Sequence, residues 1–378
     1  MKVLLAVDAF KECLDSYSIG SALATGLQKT SKAIFCNVLN IADGGCGTLN
    51  TLHASIPNSY ISTISVQHPT GAFKHNADVL FVEQGHCVIE CAQAVGLSTI
   101  SPCDRNPVEL TSFGLGEVIN YAIHQGSTRI DITLGGSGTN DAGVGLLEAL
   151  GARFFDIDNK PIEQVKPQDF NRIDRVDVSS ALNKVANIQL IVASDVTNPL
   201  YGQFGATRVY GPQKGVTEIQ LLEESIVHFS NLCPDGPSIA KQEGTGAAGG
   251  LGFALKLLGA KYVSGADFVL DLINFQSLLD GVDLVITGEG CLDYQTSFGK
   301  APAAIAARSK ECNVPVIAVA GSLGKDFASV PNIDAFFSIQ QGPCSLEYSV
   351  TNVENLLVSL GQQIGNCLKV GSLLTNKL

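Results

Sequence analysis

Short apolar runs rich in Val and Ile recur along the chain, alternating with longer segments in which apolar residues return every three or four positions. This is the pattern of strand, helix, strand units. Residues 2–7, 33–39, 130–134, 188–193, 283–287, 314–320 and 335–339 read as buried strands. Helical spacing covers 16–28, 111–124, 217–232 and 302–310, with a last helix from 352 onward. The alternation predicts an α/β protein whose parallel sheets are covered on both faces. The opening apolar run stops at Asp8, too short for a secretory leader, and reads as the first strand.

Both ends of the chain carry this pattern cleanly. The block from Thr70 to Ala193 differs, with polar loops across 156–180 and a strand-like pair at 79–82 and 87–91. A discontinuous first domain with a second inserted in the middle of the chain fits this better than a simple bisection.

The segments just after the strands carry the candidate chemistry. Glycines and acids cluster in Asp8-Ala9-Phe10-Lys11, Asp43-Gly44-Gly45, Gly135-Gly136-Ser137-Gly138-Thr139-Asn140-Asp141, Asp195-Val196-Thr197-Asn198-Pro199, Gly288-Glu289-Gly290 and Gly321-Ser322-Leu323-Gly324. Ligands of open α/β sheets sit at the carboxyl ends of the strands, so these groups gather at one rim.

Composition narrows the partners. Among 378 residues, 24 Lys and Arg face 36 Asp and Glu, a net charge of −12, which argues against nucleic acid and against an anionic membrane surface. No apolar stretch reaches the roughly 18 uninterrupted residues of a membrane span. The 45% hydrophobic content supports real cores without metal or disulfide staples. The 11 cysteines contain no C-x-x-C pair and no zinc spacing, so Cys87 and Cys91 read as small buried hydrophobes and the compartment as a reducing cytoplasm. No two histidines stand at the i, i+4 spacing of a helical metal site.

Gly244-Thr245-Gly246-Ala247-Ala248-Gly249 matches a dinucleotide fingerprint, with Asp267 downstream, yet prolines and a polar run precede it where a strand is required. It reads as a glycine-rich helix start, tightly packed or approached by a ligand. The Walker loop and the hydrolase elbow are both absent. Phosphate chemistry remains, and it needs backbone N–H donors, cations, an acid for Mg²⁺ and an acid for the acceptor hydroxyl. The loop 135–141 runs from a strand into a helix expected near Ala142, where its amides could cradle an anion. Asp141 there is either a metal ligand or, like Asn140, a helix cap. Lys11, Lys214 and Lys300 stand in tight turns as phosphate contacts or as solvated side chains. Glu289 and Asp293 either orient a substrate hydroxyl or cap the next helix.

The ordered set Asp8-x-Phe10-Lys11, Ala42-Asp43-Gly44-Gly45-x-Gly47-Thr48, Gly135-Gly136-Ser137-x-Thr139-Asn140-Asp141-x-Gly143, Asp195-Val196-Thr197-Asn198-Pro199-Leu200, Gly211-Pro212-Gln213-Lys214-Gly215, Gly246-Ala247-Ala248-Gly249-Gly250-Leu251-Gly252, Gly288-Glu289-Gly290-x-Leu292-Asp293-x-Gln295-Thr296, Gly299-Lys300-Ala301-Pro302 and Ala320-Gly321-Ser322-Leu323-Gly324 resembles the type I family of bacterial glycerate kinases. The resemblance implies phosphorylation of D-glycerate by ATP with Mg²⁺, usually at the 2-hydroxyl. It implies two α/β domains, a Rossmann-like one over 1–69 and 265–378 and an inserted one over 70–264, with the active site in the cleft between them. Catalytic roles then fall to Asp8, Lys11, Asp195, Glu289 and Asp293, and substrate contacts to Asp43, Gly44, Gly45, Cys46 and Cys291. Nucleotide contacts fall to Gly135, Gly136, Ser137, Thr139, Asn140, Asp141, Asn198, Lys214 and Lys300, with Asp141 and Asp195 as Mg²⁺ ligands. A homodimer is the candidate assembly.

The chain departs from the family pattern twice. The family usually reads A-D-G-G-E-G-T and G-E-G-R-L-D, and here the glutamate is Cys46 and the arginine Cys291. Loss of both members of an ion pair is far less damaging than loss of one. The resemblance places both positions in rim loops of one domain, where they are expected to face each other as an ion pair in the family. The departures leave two alternatives open: a non-catalytic paralogue that binds a sugar acid or nucleotide, and a kinase for another small hydroxy acid.

Overall fold

The computed structural model describes residues 1–10, 13–297 and 300–375. Its strands, in chain order, are Lys2–Val7 (β1), Phe35–Val38 (β2), Tyr60–Gln67 (β3), Lys74–Glu83 (β4), His86–Glu90 (β5), Arg129–Thr133 (β6), Arg153–Phe155 (β7), Pro161–Ile162 (β8), Arg175–Asp177 (β9), Gln189–Ala193 (β10), Lys261–Val263 (β11), Leu284–Leu292 (β12), Val316–Leu323 (β13) and Ala335–Ser338 (β14). The chain divides into two compact units, residues 1–43 with 265–378, and residues 44–264.

The first unit holds a five-stranded sheet in the order β14-β13-β12-β1-β2, every pair parallel. From β1 the chain moves outward to β2 on one side, and from β12 outward to β13 and β14 on the other. The direction of winding therefore reverses between β1 and β12, which opens a crevice at their carboxyl ends. One face is packed by Val3, Leu5 and Val7 against Ile19, Leu23, Leu27, Leu357 and Ile364. These come from the helices Ser16–Thr30 and Val353–Thr375. The helices cross closely because Gly26 and Gly361 lack side chains: a Cβ on either would strike Val358 O or Leu23 O. Asp15 caps the first helix, accepting from Ser18 N at 2.9 Å.

One strand is longer than its pattern suggests. The apolar run ends at Thr287, yet β12 continues through Gly288-Glu289-Gly290 to Leu292 and stays in register with β13. Glycine permits this, since a Cβ on Gly288 would collide with Val319 O and one on Gly321 would lie 2.6 Å from Gly290 O. Glu289 is thus presented from a strand rather than from a loop.

The second unit holds a six-stranded mixed sheet, β11-β10-β6-β5-β4-β3, parallel from β11 to β5 and antiparallel across β5-β4-β3. Because β3 pairs along its whole length with β4, residues 44–69 pack with this unit, and the division falls at 43/44 rather than at 69/70. The block 156–180, expected as loops, contributes β8 and β9 to a small antiparallel sheet around β7. Beneath it Phe154, Phe170, Phe229 and Phe253 are fully buried. Cys87 and Cys91 are wholly buried in the same core, as their apolar setting indicates.

Candidate active site

In the first unit the crevice at the β1/β12 reversal is a cavity of about 450 Å³. Asp8 follows β1, Asp43 lies beyond β2, and Glu289 and Cys291 project from β12; all four line it, with Lys300. The Asp8 turn is fixed by Ala9 N donating to Asp8 Oδ1 at 2.8 Å. Glu289 is nearly buried and both its oxygens are held, Oε1 accepting from Thr296 Oγ1 at 2.6 Å and Oε2 from Lys300 Nζ at 2.9 Å. Lys300 is positioned as the N-cap of the helix Ala301–Glu311, with Pro302 setting the first turn. Its side chain stays 37% exposed, so the ammonium reaches solvent from a fixed base. Asp293 opens the turn after β12, where its N–H donates to Thr296 Oγ1 at 3.2 Å. Lys11 lies outside the described residues.

The opposite wall of this cavity is apolar. Ile339, at the end of β14, and Val353, at the start of the last helix, are buried; Leu346 and Val350 on the short helix Leu346–Thr351 are exposed. No motif marked this wall in the sequence. Thr296 was also missed as a site residue, although it closes one of the nine ordered motifs, because a hydroxyl seven residues from its acceptor carries no local signal.

In the second unit the loop 135–141 leaves β6 and is tied into neighbouring backbone. Leu97 N donates to Gly136 O at 2.8 Å, Gly138 N donates to Val95 O at 2.7 Å, and a Cβ on Gly135 would lie 2.7 Å from Gly45 Cα. Gly136 has a left-handed φ of 67°, and a Cβ there would strike Cys46 Sγ. Gly44, Gly45 and Cys46 thus pack beside this loop. Lys214 is buried beneath it, donating to Ser137 Oγ at 2.9 Å and to Thr139 O at 2.8 Å. Burial pushes its ammonium down to about 8, against the opposing pull of Cys91 and Asp141.

Asp141 is fully buried and accepts from Ser112 N at 2.8 Å, Ser112 Oγ at 2.7 Å, Gly143 N at 3.0 Å and Gly145 N at 3.3 Å. Its carboxylate caps the helix Val144–Ala149, which starts just after left-handed Ala142 and Gly143, near the expected place. Of the two readings of Asp141, this geometry is the cap: burial raises its pKa, and four donors occupy it. Asn140 is also fully buried, its Nδ2 donating to Thr207 Oγ1 at 2.9 Å. Asn198 holds a turn, donating to Phe204 O at 2.7 Å and accepting from Tyr210 OH at 2.8 Å. Asp195 stands half-buried after β10. The fingerprint-like glycines pack against the 135–141 loop: a Cβ on Gly249 would strike Thr139 O, and Gly249 O accepts from Ala142 N at 3.1 Å.

Glu90 escaped sequence reading. Nearly buried, it accepts from Gly47 N at 3.0 Å and Leu49 N at 3.1 Å, holding the start of the helix Thr48–Ser55 beside Cys46. Burial raises its pKa. A lone acid closing the apolar run of β5 was the available signal. Cys46 belongs to this second unit and Cys291 to the first, not to one domain.

A parallel sheet with acids and a paired lysine at its winding reversal, joined in one chain to an inserted α/β unit with a glycine-rich strand-end loop, defines a two-unit α/β protein with a ligand-sized crevice at the strand ends. The chain belongs to the glycerate kinase family, whose sequence model matches residues 3–369. It is 36% identical over 377 residues to a glycerate kinase of Bacillus subtilis (strain 168), covering 98% of both chains. It is 34% identical over 379 residues to the glycerate 2-kinase of Escherichia coli (strain K12), covering 98% of this chain and 99% of that one. A crystal structure from Salmonella typhimurium LT2 assigned as glycerate kinase 2 superposes with a TM-score of 0.82 at 34% identity, covering 98% and 99% of the two chains. Among the described residues no helix is long and apolar enough to cross a membrane.

Proposed function

We propose that this protein phosphorylates D-glycerate with ATP, at the 2-hydroxyl in preference to the 3-hydroxyl. Family membership across nearly the whole chain supports the reaction, and the Glu289–Lys300 pair in the first unit's cavity is the observation that carries the site. The hydroxyl oxygen of glycerate bonds to the γ-phosphorus, the bond from that phosphorus to the β,γ-bridging oxygen breaks, and ADP leaves. The hydroxyl proton passes to a carboxylate, for which Asp8, Asp43 and Glu289 line the cavity and Asp195 stands in the second unit. Lys300, anchored at its backbone and exposed at its tip, turns from Glu289 to a phosphate or to the glycerate carboxylate. In the second unit, Gly135, Gly136, Ser137 and Thr139, on a loop that Lys214 holds from below, are further candidate phosphate contacts.

Among the described residues no three His, Cys, Asp or Glu side chains form a metal cage. A Mg²⁺ carried by the triphosphate needs only one or two carboxylates besides the phosphates. Asp8 and Asp43 in the cavity fit that requirement, and half-buried Asp195 is a further candidate. Buried Asp141 is not. The ion would neutralise charge on the transferring phosphoryl group.

Purified protein assayed for ADP release with D-glycerate, L-glycerate and related hydroxy acids tests the reading. Turnover dependent on D-glycerate, with 2-phosphoglycerate as the product by NMR, is expected. Absence of glycerate-dependent ADP release overturns it, and turnover with another acid alone reassigns the acceptor.

A further inference from the structure

Glycerate has an oxygen on each of its three carbons, so it gains nothing from an apolar wall and would lose hydration against one. The cavity of the first unit nevertheless has such a wall, made by Ile339, Leu346, Val350 and Val353. At about 450 Å³ it also lies within the roughly 300–1,000 Å³ of pockets that take far larger ligands than a three-carbon acid. Two of the wall residues are left in water although they face a pocket: Leu346 is 78% exposed and Val350 43%. The wall stands at the carboxyl ends of β13 and β14, outward of the winding reversal, and the acids stand at the reversal itself.

We propose that this wall is the seat of the donor's purine base. The inference rests on the kinase reading above and deepens it. The reaction brings two ligands, and only the nucleotide carries a flat, weakly hydrated surface that apolar side chains can cover. Gln340, exposed and also in the lining, offers its side-chain amide to the edge of the base. The ribose and phosphates then run from the wall toward Asp8, Asp43 and Lys300 in the same cavity. In doubly wound sheets a mononucleotide takes this position, across the strand ends on one side of the reversal.

Calorimetric titration with ADP tests the proposal without requiring turnover. Leu346→Glu and Val350→Asp change exposed side chains, so both variants should fold, which circular dichroism and melting check directly. Each is expected to weaken ADP binding by about tenfold or more, the size of one lost apolar contact plus a repulsive charge. The KM for ATP should rise in parallel while the KM for D-glycerate moves less than about twofold. Adenosine, which has no phosphate, should compete with ADP on the unaltered protein. A rise in the KM for D-glycerate with ADP binding unchanged overturns the proposal and gives the wall to the acceptor. Unchanged binding of both ligands overturns it equally. Unaltered protein that turns over glycerate but ignores adenosine also counts against it, whereas unaltered protein that binds no ADP at all overturns the kinase reading itself.

Discussion

Lys300 Nζ lies 2.9 Å from Glu289 Oε2, a strand acid and a helix-cap lysine brought together across eleven residues at the mouth of the first unit's cavity. The lysine is 37% exposed, so the pair contributes at most about 1 kcal/mol to folding. Its use is in the site. Glu289→Gln should lower kcat by about 10²- to 10⁴-fold, the range of a lost acid or base. Lys300→Met should lower kcat/KM by about 10²-fold, as for one lost donor to a developing charge. Melting temperatures should fall by no more than about 4 °C. Variants that melt far lower yet turn over normally would make the pair structural.

Lys214 gives a pH dependence with a definite sign. Its folded pKa of about 8 lies below the ordinary lysine value of 10.5, so between those values the unfolded chain binds more protons than the folded one. Stability from this group therefore rises with pH across that window, by up to about 3 kcal/mol at roughly 1.4 kcal/mol per unit. The neutral amine still carries two N–H donors for Ser137 and Thr139, so the loop remains held. Denaturant unfolding from about pH 7.5 to about 10.5 should show a steeper gain for the unaltered protein than for Lys214→Met. Parallel curves would mean that the lysine does not titrate in this range.

Asp141→Asn separates cap from metal ligand. The amide would turn an N–H₂ toward donors that now meet a carboxylate, and stability should drop by about 2–3 kcal/mol. Thermal melts without nucleotide read this. A variant of normal stability whose affinity for Mg-ATP is lost would restore the metal assignment.

Cysteine reactivity should follow burial. Burial pushes the thiols of Cys87, Cys91 and Cys233 up to about 12, whereas Cys46 and Cys291 are exposed. Iodoacetamide near neutral pH should label Cys46 and Cys291 and spare the buried three, as peptide mass spectrometry would read. ADP or glycerate should slow labelling of Cys291, which lines the cavity. Equal labelling with and without both ligands would place the site elsewhere.

Much of the fold was legible because its signals are local. The first strand, Lys2–Val7, is a plain apolar run, and the helix Ser16–Thr30 begins at a residue with an aspartate cap. β3 was not legible: Tyr-Ile-Ser-Thr-Ile-Ser-Val-Gln does not alternate strictly, since the strand lies at a sheet edge where only Val66 is buried. The extension of β12 was hidden for another reason. Glycine reads as a turn, and only the closeness of β13 turns its missing Cβ into a requirement for pairing.

The sequence alone determined the α/β class, the inserted second unit and the strand-end loops where glycines and acids collect, because periodicity and turn chemistry act between near neighbours. It could name Glu289, Asp141, Lys214 and Lys300, but not divide their roles. A charged side chain becomes a cap, a support or a site residue according to how much water it keeps and which donors or acceptors reach it. Asp141 meets Ser112 from an earlier segment, Lys214 meets Ser137 and Thr139 from far back in the chain, and Glu289 keeps a lysine at the mouth of a cavity. Those meetings are long-range, and tertiary packing alone decides them.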